Sequence, residues 1–418
     1  MLGSMDQPRQ PSRRTVLHGG TTRGGTNIAD VGTRNRALVL DLVRRTGPVQ
    51  RVALARDTGL SAQTVSNIAG RLVAEGLVQQ DEDRALAVVP SARTAIGVHL
   101  DPAAFEVVLV DLTGTVLAAE HHDLAARTAP HAVLDAMAAA VGRLRAEAPG
   151  QAVDGITVAV PGPIDTASER LGSPAQLRPW SAYPLAAELA ARTDAEVHLE
   201  KDAIAGAFGE AWTSPEREDL VAVHLGSGVS AAAVASGEVV RGATGNAGEF
   251  GGMPVYAHGR WTAVWEACQP LQQVRRAVSA GVLDVEVTSD DAAAVRAAYA
   301  RMCREPAAAD LVAEGGSALG SALAHVVELL DVPRVTIGGS AAVLGGDRFI
   351  DAVRSRLRDR LPRGPFAEVA FSTAGVVAVA RGAACSAIAR SLETAAPVPA
   401  SRQRTGGTVH ARSISHPW

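Results

Sequence analysis

Lysine is almost missing from this chain of 418 residues: Lys201 is the only one among 40 basic residues. An arginine bias of this kind usually reflects the genome rather than function, so the exception at 201 stands out. Aromatics are scarce at 3%, and a core drawn from a 47% hydrophobic composition must therefore be mostly alanine, valine and leucine. No stretch reaches the roughly 18–20 consecutive apolar residues that a membrane span requires. The N-terminus carries arginines but no apolar segment of the secretory type. The three cysteines, Cys268, Cys303 and Cys385, are too few and too widely spaced for a disulfide framework or a cysteine metal cluster. These absences predict a soluble cytoplasmic protein with no membrane partner and no cofactor. The net charge of −4 excludes wholesale coating of nucleic acid. Charge is uneven, however: Arg9, Arg13, Arg14, Arg23, Arg34 and Arg36 face only Asp6 and Asp30 within residues 1–36.

What is present divides the chain into two or three units, as its length suggests. Residues 1–33 are rich in Gly, Thr, Arg and Pro without periodicity and predict a disordered basic arm. Residues 394–418 predict a disordered tail for the same reason. A small helical unit spans 34–90, and strand-like and helix-like segments alternate from 91 to 393, the pattern of an α/β domain.

In the small unit, Leu38, Leu42 and Val43 share one helical face, and Gly47 ends that helix. A short helix from Val52 to Thr58 closes at Gly59, and Ser61 is a natural N-cap for a helix from Ala62 to Glu75. Val65, Ile68, Leu72 and Val73 predict its buried stripe, leaving Gln63, Thr64, Ser66, Asn67 and Arg71 outside. This is the helix-turn-helix arrangement. Glutamine and asparagine can bond adenine and arginine can bond guanine, so these side chains suit base edges, with Arg51 beside them. "LVQQDEDRALAVV" reads as a β-wing whose tip lies near Asp81–Arg84. The tip is acidic for a wing lying along phosphates, which leaves Arg84 to face the backbone. A helical hairpin used for protein contacts is the alternative to double-stranded DNA as partner.

The larger unit repeats a strand–turn–strand opening at about 96 and again at about 220, which predicts a duplicated, two-lobed fold with a cleft between the lobes. Residues 91–215 with 376–393 make one lobe and 216–375 the other. Specific stretches are Pro161-Gly162-Pro163-Ile164-Asp165, Glu200-Lys201-Asp202-Ala203 through Gly209-Glu210, Leu225-Gly226-Ser227-Gly228 and Gly242 through Gly251. In this order and spacing, behind a helix-turn-helix, they resemble the ROK family of repressors, open reading frames and sugar kinases. Within it the chain is most similar to transcriptional regulators of the xylose and N-acetylglucosamine repressor type. The resemblance implies an actin-like, hexokinase-like fold, a dimer or dimer of dimers, a palindromic operator and a sugar-type effector.

Departures from the family pattern carry as much information. A ROK kinase opens with an Asp-x-Gly-Gly-Thr phosphate hairpin, in which backbone N–H groups at glycines approach the phosphates. Here the hairpin reads Asp101-Pro102-Ala103-Ala104-Phe105, and Pro102 contributes no N–H. Asp202 matches the family's catalytic base, yet the altered hairpin argues against phosphotransfer, leaving a sugar kinase with an appended DNA-binding domain as the rival reading. The family's zinc loop, a histidine followed by Cys-x-Cys-Gly-x-x-Gly-Cys, is replaced by Gly252 and the shorter "HGRWTAVWEAC". Three thiolates and an imidazole hold Zn²⁺ well, and none of them stands at its position here, so no structural zinc and no metal ligands are expected in this protein. Trp261 and Trp265 are expected to fill its space, with His258 lacking a second ligand. Glu249 and Glu266 match positions where the family binds sugar hydroxyls; Gln176 and Lys201 each stand where the family has Asn. A cleft of Gln176, Lys201, Asp202, Glu249 and Glu266 either holds an altered, anionic ligand, since an ammonium suits a carboxylate or phosphate, or is closed by Lys201 pairing with Asp202 or Glu249.

Overall fold

The computed structural model describes residues 28–126, 128–148, 153–174, 176–364 and 366–394. The arm expected over 1–33 lies outside these residues up to 27, as does the expected tail beyond 394. Residues 28–33, expected within the arm, instead open the first helix, α1 (Ile28–Thr46). Once a helix is nucleated and packed at one end, each added residue extends it at little cost.

After α1 come α2 (Arg51–Thr58), α3 (Ala62–Ala74), β1 (Val78–Gln80) and β2 (Leu86–Val88). Gly59 closes α2 at φ +70°, a conformation that glycine adopts without strain. The wing strands pair antiparallel, Val78 opposite Val88, and Val49 bridges to Leu86. On α1 the buried stripe centres on Val39, Leu40 and Val43 rather than on Leu38 and Leu42, which are half-buried. On α3 it runs Val65, Ile68, Ala69, Leu72, and Val73 is exposed. The spacing fits the second difference: 65, 68, 69 and 72 follow the i, i+3, i+4, i+7 row, and 73, at i+8, lies about 40° past Ala69 on the edge of that stripe.

The first lobe follows as β3 (Thr94–Asp101), β4 (Ala104–Asp111), β5 (Val116–Asp123), α4 (Pro130–Glu147), β6 (Val153–Val160), the short pair β7 (Ile164–Asp165) and β8 (Arg170–Leu171), α5 (Leu185–Thr193), β9 (Val197–Lys201) and α6 (Asp202–Thr213). Its sheet runs β5-β4-β3-β6-β9, antiparallel through β3 and parallel thereafter. Every residue of β3 and β4 is buried, because both faces of these strands are covered; β5, at the edge, alternates half-buried with exposed.

The second lobe comprises β10 (Leu220–Leu225), β11 (Val229–Ala235), β12 (Glu238–Val239), the hairpin β13 (Pro254–Ala257) and β14 (Arg260–Ala263), α7 (Val264–Cys268), α8 (Pro270–Ser279), α9 (Ala292–Arg304), α10 (Ala309–Leu330), β15 (Arg334–Gly338), α11 (Ser340–Arg360) and β16 (Glu368–Phe371). The order β12-β11-β10-β15-β16 repeats the first sheet strand for strand. This is the duplicated, actin-like α/β plan behind a winged helix-turn-helix.

The chain then returns to the first lobe as α12 (Ala378–Thr394). Residues Gly375–Thr394 are long and apolar enough to cross a membrane, a stretch that a count of unbroken apolar runs passes over. In this fold α12 lies instead against β3, β6 and α6. The approach is backbone to backbone: a Cβ on Gly382 would come 1.7 Å from the Ala205 carbonyl oxygen. The far side of α12, with Ala380, Ala384, Cys385 and Ile388, shares one core with Val39, Val43 and Leu72 of the winged domain and Val108 and Val110 of β4. The winged domain therefore shares a core with the first lobe rather than hanging from a free linker.

Candidate functional site

The exposed face of α3 is built by its cap. Ser61 Oγ accepts from the Thr64 backbone N–H at 3.1 Å and fixes where the helix begins. Gln63, Ser66, Asn67 and Arg71 are exposed; Gln63 donates to the Asn67 side-chain oxygen at 3.0 Å, and the Arg71 guanidinium makes no ion pair or hydrogen bond among the described residues. Two of the expected side chains have other work. The Thr64 hydroxyl lies 2.8 Å from Ser61 Oγ within the cap. Arg51 is half-buried and donates to the Arg84 carbonyl and Gln80 Oε1 at 3.3 and 3.2 Å, bracing the wing. Arg84 is exposed at the wing turn in the left-handed region, φ 62°. Asp81 shapes that turn by accepting from the Ala85 N–H at 2.7 Å, which gives one of the tip's acids a structural reason.

The cleft residues assemble only in part. Lys201 ends β9 and is 1% exposed; its ammonium donates to Glu249 Oε1 at 2.5 Å and to the Asn246 carbonyl at 3.1 Å. The Glu249 side chain is 74% exposed, so a buried cation meets a carboxylate in water. Asn246, which sequence reasoning missed, exchanges hydrogen bonds with both backbone groups of Ile164, at 2.7 and 2.8 Å, and so ties the Gly242–Gly251 loop to the Pro161–Asp165 loop. Asp202 opens α6 and accepts from Ser230 Oγ of the other lobe at 3.2 Å. Gln176 lies against Gly228, where a Cβ would sit 2.9 Å from its Oε1. Glu266 is engaged by Thr262 and, at 3.2 Å, by Arg260. Among the described residues no hydrogen bond joins Gln176 or Glu266 to Lys201, Asp202 or Glu249.

The altered phosphate hairpin is tied across the cleft as well. Asp101 is buried; it accepts from the Ala103 N–H at 2.9 Å, from Ser227 Oγ at 2.5 Å and from the Ser227 N–H at 3.1 Å. The turns opening the two lobes thus bond directly to each other.

In the shortened loop around residues 252–268, the expected filling is wrong. Trp261 is 71% exposed and Trp265 is exposed too, whereas Val255, Val264, Ala267 and Cys268 are buried there. The tight β13–β14 hairpin holds Trp261 on the solvent side, where it meets Tyr256 edge-on at 5.9 Å. Burial pushes the Cys268 thiol up to about 12, so it packs as a neutral apolar group. His258 lies 3.2 Å from Glu314 and contacts Arg276.

A second group escaped sequence reasoning although its signal is present. Val98-His99-Leu100 and Val223-His224-Leu225 stand at matching places in the two repeated openings. The duplication sets the two rings edge to face, 4.9 Å apart, between the lobes. His99 Nδ1 lies 3.1 Å from Glu106 Oε2, and His121 Nδ1 lies 3.0 Å from Glu106 Oε1. Burial pushes the Glu106 carboxyl up, but the hydrogen bonds and charges of His121 and His99 outweigh it and hold it at about 2. For His99 burial disfavours the charged form, yet Glu106, Asp101 and Asp202 prevail and raise its pKa. Burial and then the neighbouring His99 lower that of His224.

The family model described as the ROK family matches residues 95–390, and that of the MarR family matches residues 33–85. The chain is 26% identical over 337 residues to the N-acetylglucosamine repressor of Escherichia coli O157:H7, covering 75% of this chain and 82% of the repressor. It is 23% identical over 356 residues to the xylose repressor of Caldicellulosiruptor bescii, covering 78% and 88%. A solved ROK family transcriptional regulator, a homolog of the E. coli MLC protein, superposes with a TM-score of 0.66 at 19% identity, over 88% of this chain and 98% of that one.

Proposed function

Since the chain belongs to the ROK family and carries a MarR-type winged helix-turn-helix, we propose that it is a DNA-binding transcriptional repressor of carbohydrate-related genes. It acts in the cytoplasm as a homodimer on a palindromic operator, with no kinase activity and an altered effector cleft. Relatives of similar length are named as sugar-related repressors, which supports the ligand class. The observation that carries the reading is the path from the cleft to α1 of the winged domain. Helix α6 starts at Asp202 beside Lys201, runs 12 residues, about 18 Å, and ends against the winged domain. There Arg44 stacks on the Trp212 ring at 3.9 Å and donates to its carbonyl, while Arg45 donates to the Ser214 carbonyl at 2.7 Å. A ligand that moves Asp202 therefore moves the DNA-reading unit, and operator and ligand affinities are linked reciprocally. Genome-wide mapping of bound sites tests this: enrichment at a palindrome beside sugar-uptake or sugar-breakdown genes is expected, and scattered binding without a shared motif would refute it.

The kinase reading rests on Asp202 at the position of the catalytic base. Against it stand Pro102 without an N–H and Asp101 bonded to Ser227 in the cleft where phosphates would enter. ATP hydrolysis over a sugar panel separates the two; turnover that is lost in Asp202→Asn would favour the kinase.

A further inference from the structure

We propose that His99, Asp101 and His224 form a binding site for a divalent transition-metal ion of the zinc class, shared between the two lobes and unrelated to the loop at 252–268. One ligand atom from each side chain falls within 4.8 Å of the others, and all three residues are buried. Bonds of about 2.0–2.1 Å at tetrahedral angles put ligand atoms about 3.4 Å apart, so a contraction of about an ångström completes the set. Two imidazoles and a carboxylate are a suitable N/O donor set for such an ion and a poor one for Mg²⁺ or Ca²⁺.

Three independent observations point to an ion. First, His99 is already oriented: Glu106 engages Nδ1, which leaves Nε2 to face inward, and that nitrogen has no hydrogen-bond partner. A carboxylate behind the ligating histidine is the usual support of such sites. Second, His224 Nδ1 is also buried without a partner. That atom lies on the Gly339 side of the ring, while His224 Nε2 and Asp101 Oδ2 both face Gly226, within 2.8 and 2.9 Å of where its Cβ would stand. Buried polar atoms are rarely left unsatisfied, and the orphaned His99 Nε2 beside the His224 ring and the Asp101 carboxylate is what a cation would explain. Third, a cavity of about 10 Å³ adjoins the three, walled by Ala103, Arg296 and Ser340, enough for one ion or water-sized ligand. The cation on its wall, Arg296, is itself paired with Asp123.

Position gives the site its consequence. His99 and Asp101 close β3 of the first lobe and His224 lies near the end of β10 of the second, so a bound ion ties the two duplicated halves at their shared edge.

The test uses full-length, metal-stripped protein titrated with Co²⁺ and followed by visible absorption. One equivalent per chain is expected, displaced by Zn²⁺. His224→Ala and Asp101→Asn should abolish stoichiometric binding, and Glu106→Gln should weaken it by about 10–100-fold. His258→Ala, in the altered loop, should bind Co²⁺ as the wild type does. Absence of stoichiometric binding in the wild type overturns the proposal, as does binding that survives His224→Ala. Should either variant fail to fold, Co²⁺-soaked crystals of the wild type decide by anomalous scattering: a peak among the three side chains supports the site, and a peak elsewhere or none overturns it.

Discussion

Replacing Lys201 by methionine deletes the chain's one ammonium while keeping an unbranched stem of similar volume. On the Glu249 side little is lost. Its side chain is 74% exposed and recovers water, so that partnership is worth at most about 1 kcal/mol. The Asn246 carbonyl, half-buried, loses a charged donor; leaving such an acceptor unpaired costs about 1–3 kcal/mol, here at the lower end. Relief of the desolvation borne by a 1% exposed ammonium offsets part of this. A net loss of about 1 kcal/mol follows, seen as a fall of about 1–2 °C in melting temperature for a chain of this size. Lys201→Asn, with a shorter stem, leaves a void as well and should fall further. The assay is thermal shift on wild type and both variants with neutral sugars, sugar phosphates and sugar acids. If the ammonium anchors an anionic ligand, the wild type gains about 2.7 kcal/mol at a hundredfold excess over Kd, and Lys201→Met does not. A methionine variant that keeps an anion-dependent shift would refute the role given to Lys201; one that loses more than about 4 kcal/mol would refute the account of Glu249 as a rehydrated partner.

Three other outcomes follow from the geometry. Asn67→Ala and Arg71→Ala, both on the exposed face of α3, should each weaken operator binding in a gel shift by about 1–3 kcal/mol with an unchanged melting curve; unaltered affinity in both would remove α3 from the groove. Glu106 has its carboxyl held from 4.5 down to about 2, so its contribution, about 3 kcal/mol, is present above pH 4.5 and lost as pH falls toward 2. Urea unfolding of Glu106→Gln between pH 7 and pH 3 should therefore show a shallower acid loss than the wild type, and parallel curves would contradict it. Trp212→Ala removes the ring under Arg44; it should keep operator affinity in the ligand-free protein but blunt any ligand-induced change, and a full response would rule out α6 as the connection.

The order of elements was legible because its signals are local. Ser61, Gly59 and Gly76 punctuate the winged domain, and the repeated strand–turn–strand openings mark the two lobes. Side-chain partnerships across the cleft were not, because they depend on how two lobes meet. Asn246 is one residue among several small ones, and only the assembled loops show it bonding Ile164. The tryptophans misled for a related reason: hydrophobicity predicts burial on average, but a four-residue strand in a tight hairpin leaves one face in water. His99 and His224 could have been found by aligning the two repeats on each other, since the Val-His-Leu triplets mark equivalent strand ends.

The contacts between the lobes also decide what a ligand must do. Asp101 holds Ser227, Asp202 holds Ser230, Asn246 holds Ile164, and Lys201 holds Glu249. Each of these crosses from one lobe to the other and latches the cleft. A molecule entering beside Lys201 cannot gain by closing lobes that are closed; it must replace the Glu249 carboxylate or displace the Gln176 amide from Gly228. Coupling between such sites is typically about 1–3 kcal/mol, comparable to breaking one or two of these hydrogen bonds. Because α6 carries Asp202 at one end and Trp212 at the other, an opened latch would reach the winged domain through α6, which is what Trp212→Ala tests. An anionic effector entering there would have to loosen this arrangement, and a thermal-shift gain with sugar acids that is lost in Lys201→Met would support that order of events.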